Sequence, residues 1–288
     1  MKDVQYYAPE TLKEALGLLG KGEGRVRVLA GGTDLVRTMN LEYKLPDAIL
    51  WIGKLGLEYI RSSEGLLRIG GATRMQTAGG SKVLQTRATA LAQAAGKMAA
   101  PPVRSLATLG GNICNASPAA DTVCAMIALG AEVVLTSSRG RRVVPLEKVF
   151  TGPGRTILRP GELLTEIRLV PTKRNEGSAY AKVGRRQALT LAVLNAAARV
   201  RLDSKGVCQE VRIAVGAAAP RPLRAVGAEA ILRGKPFTAE AIARAAEAAA
   251  GEIKPIDDVH GTAWYRRKLT RVLVARVLTA AGGLNGEA

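Results

Sequence analysis

Two glycine-containing segments carry the residues best suited to bind an anionic ligand. They read "VLAGGTDL" at 28–35 and "TLGGNICNASPAAD" at 108–121. Each sets a glycine pair at the end of an apolar run and follows it with small polar residues. Successive amide groups in a glycine turn form a concavity that attracts anions, above all where a helix begins. Gly31-Gly32-Thr33, between a predicted strand and a predicted helix, therefore has a geometry suited to a phosphate.

Each segment taken alone is equally consistent with a tight turn that binds nothing. Asn112 is suited to cap a turn, Ser117 to cap a helix, and Asp121 to complement the helix dipole. If the segments do bind a ligand, the glycine amides and Asn112 face a pyrophosphate, and Asp121 accepts from ribose or ribityl hydroxyls. Two such segments suit a dinucleotide. Neither matches the G-x-G-x-x-G or Walker pattern, so a Rossmann or P-loop site is not expected.

The remaining residues offer little other chemistry. Cys114, Cys124 and Cys208 form no CxxC pair, and His260 is the one histidine in the sequence. This pattern argues against a disulfide framework, an iron–sulfur cluster within this chain, and most zinc and triad sites. We predict no catalytic acid, base, nucleophile or metal ligand, and we expect Cys114 and Cys124 to be small buried residues.

Composition and charge set broader limits. A chain of 288 residues favours two domains. Hydrophobic residues make up 47% of the sequence but aromatic residues only 3%, which predicts a core of Ala, Val, Leu and Ile. The formal charge of +18 is compatible with nucleic acid, an anionic cofactor or an acidic partner. Dispersed basic residues and scarce aromatics make nucleic acid the minority interpretation. With no apolar run of about 20 residues and a charged N-terminus, we predict no membrane span and a cytoplasmic location.

Hydrophobic periodicity and turn residues predict the secondary structure. A short helix is expected after Thr33. An Ala-rich helix is predicted at 87–99, ended by Pro101-Pro102. A further helix is predicted at 118–129, with Ser117 as its N-cap. In the last helix, an apolar stripe is expected to pack in the core: Tyr265, Leu269, Val272, Leu273 and Val277. The other predicted helices are 9–20, about 224–233, 239–250 and 261–281. The predicted strands are 25–30, 47–52, 66–72, 162–170 and the hairpins 131–135/141–146 and 191–202/207–219.

The paired segments resemble those of a known family. "AGGTDL" at 30–35 with "ATLGGNICNASPAAD" at 107–121 is similar to the FAD-binding medium subunits of the molybdenum hydroxylases, which include xanthine dehydrogenase and carbon monoxide dehydrogenase. Segments 154–167, 179–186, 217–225 and 264–278 continue the resemblance in the same order, over nearly the whole chain. It implies an α+β fold. A FAD-binding domain of the vanillyl-alcohol-oxidase (PCMH) type spans 1–172, with subdomains at about 1–55 and 56–172. A C-terminal α+β domain of the CO dehydrogenase flavoprotein type, with a small antiparallel sheet and helices, spans 177–284.

The resemblance also implies a set of FAD-binding residues. Asp121 binds the hydroxyl-bearing part of the cofactor, Leu164 contacts the isoalloxazine, and Lys182 reaches it from the second domain. The residues around the pyrophosphate are Leu29, Ala30, Gly31, Gly32, Thr33, Asp34 and Leu35 in the first segment and Thr108, Gly111 and Asn112 in the second.

The function implied is that of the FAD-carrying subunit of a molybdopterin-dependent dehydrogenase or hydroxylase. Electrons pass from [2Fe–2S] clusters of a small partner subunit through FAD to an acceptor such as NAD⁺ or a quinone. A large partner subunit holds the molybdopterin, and the whole is a dimer of heterotrimers. Two alternatives stay open: a stand-alone flavin oxidoreductase, and a non-redox nucleotide- or nucleic-acid-binding protein.

Overall fold

A small parallel sheet occupies the start of the chain. The computed structural model describes residues 4–22, 24–42, 45–186 and 189–284. The strand order is β1-β3-β2, with both outer strands parallel to β3. The Thr11 hydroxyl caps helix α1 by accepting from the Glu14 N–H at 3.2 Å, and α1 buries Ala15, Leu16 and Leu19, so the predicted helix is confirmed. The elements are β1 (Gln5–Tyr7), α1 (Leu12–Lys21), β2 (Val26–Leu29), α2 (Leu35–Glu42) and β3 (Ala48–Trp51).

A second unit is built on an antiparallel sheet. Its strand order is β4-β5-β10-β6-β7, and it contains the hairpin predicted on either side of residues 138–139. Helix α8 is buried along its whole length, which its apolar sequence requires. The elements are β4 (Ile60–Ser63), β5 (Leu66–Gly70), α3 (Met75–Gly80), α4 (Lys82–Arg87), α5 (Thr89–Lys97), α6 (Pro101–Arg104), α7 (Leu109–Asn115), α8 (Asp121–Ala128), β6 (Glu132–Ser137), β7 (Gly140–Pro145), β8 (Phe150–Gly152), β9 (Arg155–Thr156) and β10 (Leu163–Leu169).

One predicted helix start in this unit, that of α8, is wrong. Helix α8 begins at Asp121, not at Pro118, and the Ser117 hydroxyl accepts from the Ala119 N–H at 3.3 Å instead of capping the helix. Residues 117–120 instead form a turn in which the Ala120 N–H donates to the Ser117 carbonyl at 3.1 Å, and the Pro118 carbonyl accepts from the Ala217 N–H at 2.8 Å. Pro101 and Pro102 begin the short helix α6, where prolines in the first turn lose no hydrogen bond.

The third unit is an antiparallel sheet covered by helices. Its strand order is β11-β12-β13-β14, and the long hairpin predicted between 191 and 219 is confirmed as β12 and β13. Side chains alternate along these strands. Ala179, Ala181 and Ala196 pack in the core with the helices, whereas Tyr180 and Ala197 join the core of the second unit. The elements are β11 (Glu176–Gly184), β12 (Ala192–Leu202), β13 (Cys208–Gly216), β14 (Leu223–Arg224), α9 (Val226–Leu232), α10 (Ala239–Glu252) and α11 (Ala263–Ala281).

The buried stripe of α11 differs from the predicted one. Tyr265 and Val272 are exposed, while Arg266 is buried. The Arg266 guanidinium donates to both oxygens of Asp258 at 2.8 and 2.9 Å and to the Val193 carbonyl at 3.1 Å. A charge can be buried when its N–H groups are paired in this way, and the pairing turns a different face of the helix inward.

None of the described helices combines the length and the apolar character that crossing a bilayer requires.

Candidate cofactor site

The first glycine segment lies against the second at the end of β2. A Cβ atom added to Gly31 would overlap the backbone carbonyl of Leu106 at less than 3.0 Å, so only glycine permits this approach. Gly32 next to it has φ +72°, which other residues adopt only at a cost. The glycine pair therefore serves the packing and turning of the backbone, a more specific role than simply making room for a ligand.

This segment also presents unpaired backbone donors. Within the described part of the chain, the N–H groups of 31–34 have no hydrogen-bond acceptor. Their carbonyls are engaged in part, because Gly32 and Asp34 accept from the N–H groups of Val36 and Thr38 and so begin α2. Thr33 and Asp34 are exposed. A row of accessible donors at a helix start carries partial positive charge, which fits the oxygens of a phosphate.

The second glycine segment forms a helix where a loop was expected. Thr108 caps α7, with its hydroxyl accepting from the Gly111 N–H at 3.0 Å and its carbonyl accepting from the Asn112 N–H at 2.9 Å. The Gly110 N–H donates to the Gly71 carbonyl, also at 2.9 Å. Each of these three amides therefore already has an acceptor within the chain, and the expectation that they face a pyrophosphate stays a prediction. The inclusion of Thr108, Gly111 and Asn112 in the site stays a prediction that rests on their side chains and position.

The Asn112 side chain connects α7 to the start of α8. Its Oδ1 accepts from the Thr122 hydroxyl at 2.8 Å, and its Nδ2 has no acceptor among the described residues. Asn112 is half-buried. It is thus a donor that α7 can still offer to a ligand.

Leu164 lies on the far side of the second segment. A Cβ atom at Gly110 would overlap the Gly71 carbonyl, and one at Gly71 would overlap the Leu164 carbonyl, each at less than 3.0 Å. Three backbone segments are thus stacked without intervening side chains. The Leu164 side chain itself is only 3% exposed. Its proposed contact with the isoalloxazine stays a prediction.

An ion pair fixes the loop that leads into β10. Arg142 of β7 donates to Glu162 at 2.7 and 2.8 Å, and this hydrogen bonding lowers the pKa of the Glu162 carboxyl. A lowered folded-state pKa stabilises the fold above the ordinary pKa of 4.5, and this stabilisation is lost as the pH falls below it.

We therefore expect Arg142→Met to lower the free energy of unfolding at pH 7, with a smaller difference from the wild type at pH 3. Urea unfolding of both proteins at several pH values checks this. An equal difference at all pH values would contradict the role given to Glu162.

A buried polar cluster, here called the Asp121 cluster, joins the second unit to the third sheet. Asp121 is 6% exposed, and its Oδ2 accepts from the Lys182 Nζ at 2.8 Å. Its Oδ1 accepts from the Tyr180 hydroxyl at 2.5 Å and from the Asn195 Nδ2 at 3.3 Å. Lys182 also donates to the Lys97 carbonyl at 2.8 Å. The alternation of β11 places Tyr180 and Lys182 on the face that meets α8.

The predicted site residues therefore fall into one connected arrangement. The first segment (29–35) contacts Leu106, the second segment continues from there to Asn112, and Asn112 reaches Thr122 beside the Asp121 cluster. Sequence reasoning missed Leu106, which is 56% exposed although its carbonyl lies on Gly31. It also missed Tyr180, whose spacing of two residues from Lys182 in a strand was the available signal.

The cysteines and other ionisable groups add no second centre. Cys124 and Cys208 are buried, but Cys114 is exposed, so the expectation for Cys114 is wrong. It lies near the C-terminal end of α7, on a side that the helix does not bury. Across the described residues, no group of His, Cys, Asp and Glu is arranged to hold a metal ion.

Comparison with known proteins assigns the chain to a family. Residues 2–173 match the family described as the FAD binding domain in molybdopterin dehydrogenase, and residues 178–281 match the CO dehydrogenase flavoprotein C-terminal domain. The chain belongs to the flavin subunits of the molybdopterin dehydrogenases. FAD is thus the cofactor of this flavin subunit, which is part of an oxidoreductase, and the predicted α+β fold is confirmed.

Several relatives match this flavin subunit over most of its length. The nicotinate dehydrogenase FAD-subunit of Eubacterium barkeri is 36% identical over 245 residues, 83% of each chain. The carbon monoxide dehydrogenase medium chain of Hydrogenophaga pseudoflava is 34% identical over 278 residues, 96% of each chain. A solved structure of carbon monoxide dehydrogenase from Hydrogenophaga pseudoflava superposes with a TM-score of 0.93 at 35% identity, covering 97% of each chain. The quinoline 2-oxidoreductase of Pseudomonas putida 86 superposes with a TM-score of 0.90 at 27% identity, covering 98% of this chain and 97% of that one.

Proposed function

We propose that this flavin subunit transfers electrons between [2Fe–2S] clusters of a partner chain and an external acceptor, through FAD held at the site described above. The observation that carries the proposal is the row of unpaired, accessible amides at 31–34, held against the second segment. Such a row of N–H donors suits the oxygens of a pyrophosphate. FAD, the cofactor of this family, is a dinucleotide and contains a pyrophosphate.

The residues of this chain bind and orient the cofactor. The amides of 31–35 hold the pyrophosphate, and the Asn112 side chain adds a donor from α7. Leu164 and Lys182 border the isoalloxazine part, and Asp121 borders the hydroxyl-bearing part. Lys182 carries three N–H donors, of which two have acceptors among the described residues, so the third can donate to the flavin. FAD supplies the electron-transfer chemistry, because its isoalloxazine takes up and releases electrons.

The proposed partners are a large molybdopterin-binding subunit and a small subunit with two [2Fe–2S] clusters, in a dimer of heterotrimers. The names of the relatives support this, since they denote medium chains and FAD subunits of multi-subunit dehydrogenases. The three cysteines of this sequence are too few for two clusters, each of which needs four thiolates. The charge of +18 would complement acidic partner surfaces. The acceptor, NAD⁺ or a quinone, and the cytoplasmic location stay predictions.

The test is to purify the chain with and without its partner chains and to identify any bound flavin. We expect a flavin absorption spectrum, with one FAD released per chain on denaturation, and iron and molybdenum only in the preparation that includes partners. A chain that takes up no FAD after reconstitution would contradict the proposal. A chain that oxidises a substrate on its own, without iron or molybdenum, would favour the stand-alone flavin oxidoreductase.

A further inference from the structure

The Asp121 cluster is more elaborate than a flavin contact needs. A single buried carboxylate is shared by a lysine, a tyrosine and an asparagine, and all three of these lie on strands of the third sheet. The side chains of Asp121 and Lys182 are 7% and 8% exposed. Removing two charges from water is unfavourable unless further hydrogen bonds satisfy them. The tyrosine and the asparagine supply those hydrogen bonds.

Tyr180 is held firmly in its position in the cluster. Its ring is 3% exposed in the core of the second unit, and its backbone N–H donates to the Gln93 Oε1 at 2.8 Å. Burial and the adjacent Asp121 carboxylate raise the pKa of its hydroxyl well above the ordinary value, so the hydroxyl keeps its proton and acts as donor. A donor that cannot move holds its acceptor in place.

The position of the Asp121 carboxylate in turn determines where the Lys182 ammonium lies. Lys182 is held between Asp121 Oδ2 and the Lys97 carbonyl, both at 2.8 Å. The Lys97 carbonyl is at the end of α5 and belongs to the backbone, whereas the carboxylate could rotate about its side-chain bonds. The contacts of Tyr180 and Asn195 to Oδ1 prevent that rotation. The position of a positive charge beside a flavin bears directly on its reduction potential.

We propose that Tyr180 is a positioning residue of the flavin site, which acts through Asp121 to fix the ammonium group of Lys182 against the cofactor. The proposal rests on the proposed function, because it takes the flavin to lie beside Lys182. Tyr180 touches no reacting atom itself. Asn195 supports the same oxygen with a longer and weaker hydrogen bond.

The experiment uses Tyr180→Phe, Lys182→Met and the double variant in the full chain loaded with FAD. Tyr180→Phe removes the hydrogen bond that holds Asp121 and, through it, the Lys182 ammonium. We therefore expect the flavin dissociation constant to rise roughly two- to tenfold in this variant. The midpoint potential of the bound flavin should shift in Tyr180→Phe in the same direction as in Lys182→Met, but by less. The double variant should match Lys182→Met alone, because without the ammonium the hydroxyl has nothing left to position.

A matched control is Tyr59→Phe, since the Tyr59 hydroxyl also donates to a carboxylate, Glu166, at 2.9 Å and lies outside the cluster. It should leave the flavin potential and affinity unchanged. A wild-type potential in Tyr180→Phe, or shifts that add in the double variant, would overturn the proposal while FAD binding stands. If Lys182→Met does not shift the potential, the flavin does not lie beside Lys182, and the proposal fails. If the wild-type chain takes up no FAD, it is the proposed function that fails.

Discussion

Replacement of Gly31 by alanine is expected to weaken FAD binding roughly ten- to hundredfold, which lies within the range that an overpacking cost of about 1–3 kcal/mol corresponds to. The new methyl group would overlap the Leu106 carbonyl, which is backbone and cannot swing aside. The two segments must then move apart, and the row of amides at 31–34 moves with them. Titration of the flavin-free protein with FAD, followed by fluorescence quenching, measures the change.

Gly17→Ala is the matched control. Gly17 lies in α1 with nothing within 4 Å of the added Cβ, so the same chemical change should leave FAD binding unaltered. A Gly31→Ala protein that binds FAD as tightly as Gly17→Ala would contradict the close approach as the basis of the site. Unfolding measured for both variants separates loss of the site from loss of the fold.

Asp121→Asn is expected to lower the free energy of unfolding by about 3–5 kcal/mol, since it leaves the Lys182 ammonium buried without its counter-charge. The tyrosine hydroxyl also loses a charged acceptor. Chemical denaturation of the flavin-free protein measures the effect without any contribution from the cofactor.

The control is Glu247→Gln, because Glu247 pairs with Arg271 on the surface, where the two side chains are 63% and 44% exposed. Such a pair should contribute no more than about 1 kcal/mol. The double variant Asp121→Asn/Lys182→Met should recover part of the loss, since no unpaired charge remains. If Asp121→Asn costs no more than Glu247→Gln, the cluster does not stabilise the junction between the units.

The elements that sequence reasoning predicted well are those whose pattern is local. The hairpin of β12 and β13 was predicted from an alternating face in "LAVLNAAARVRL" and the turn "DSKG", although alanine favours helices. Both faces of β12 are buried, one against the helices and one against the second unit. The run is therefore apolar at nearly every position, which is typical of a strand without a solvent face.

The elements that were predicted incorrectly depend on partners far away in sequence. Glycines at 110 and 111 each cost about 1 kcal/mol in a helix relative to alanine, so "TLGGN" resembles a turn. It is helical because Thr108 caps it and because Gly110 packs directly on the backbone of Gly71. Likewise, Arg266 is buried because Asp258 and two carbonyls surround it, and no spacing rule within α11 indicates that.

The same distinction between local patterns and long-range contacts holds for the residues of the candidate site. The glycine pairs, Asp121 and Lys182 could be named from short motifs and a family resemblance. The hydrogen bonds that use up the α7 amides come from the Thr108 cap and the Gly71 carbonyl. The tyrosine that holds Asp121 reaches it because β11 packs on α8, a contact between segments far apart in the sequence. Sequence therefore indicates which residues to consider, whereas the fold determines which of their atoms are free to bind.

The double burial of β12 has a consequence for how this chain could be divided. The connection at 170–175 lies between two halves with different folds, which suggests a place to cut. Yet Tyr180, Ala197 and Ala214 lie in the same apolar core as α5 and α8. A fragment ending at Pro171 would expose that core and lose both the lysine and the tyrosine of the Asp121 cluster. The two halves thus differ in architecture but share one apolar core, and the proposed charged neighbour of the cofactor, Lys182, lies in the half that does not contain the glycine segments.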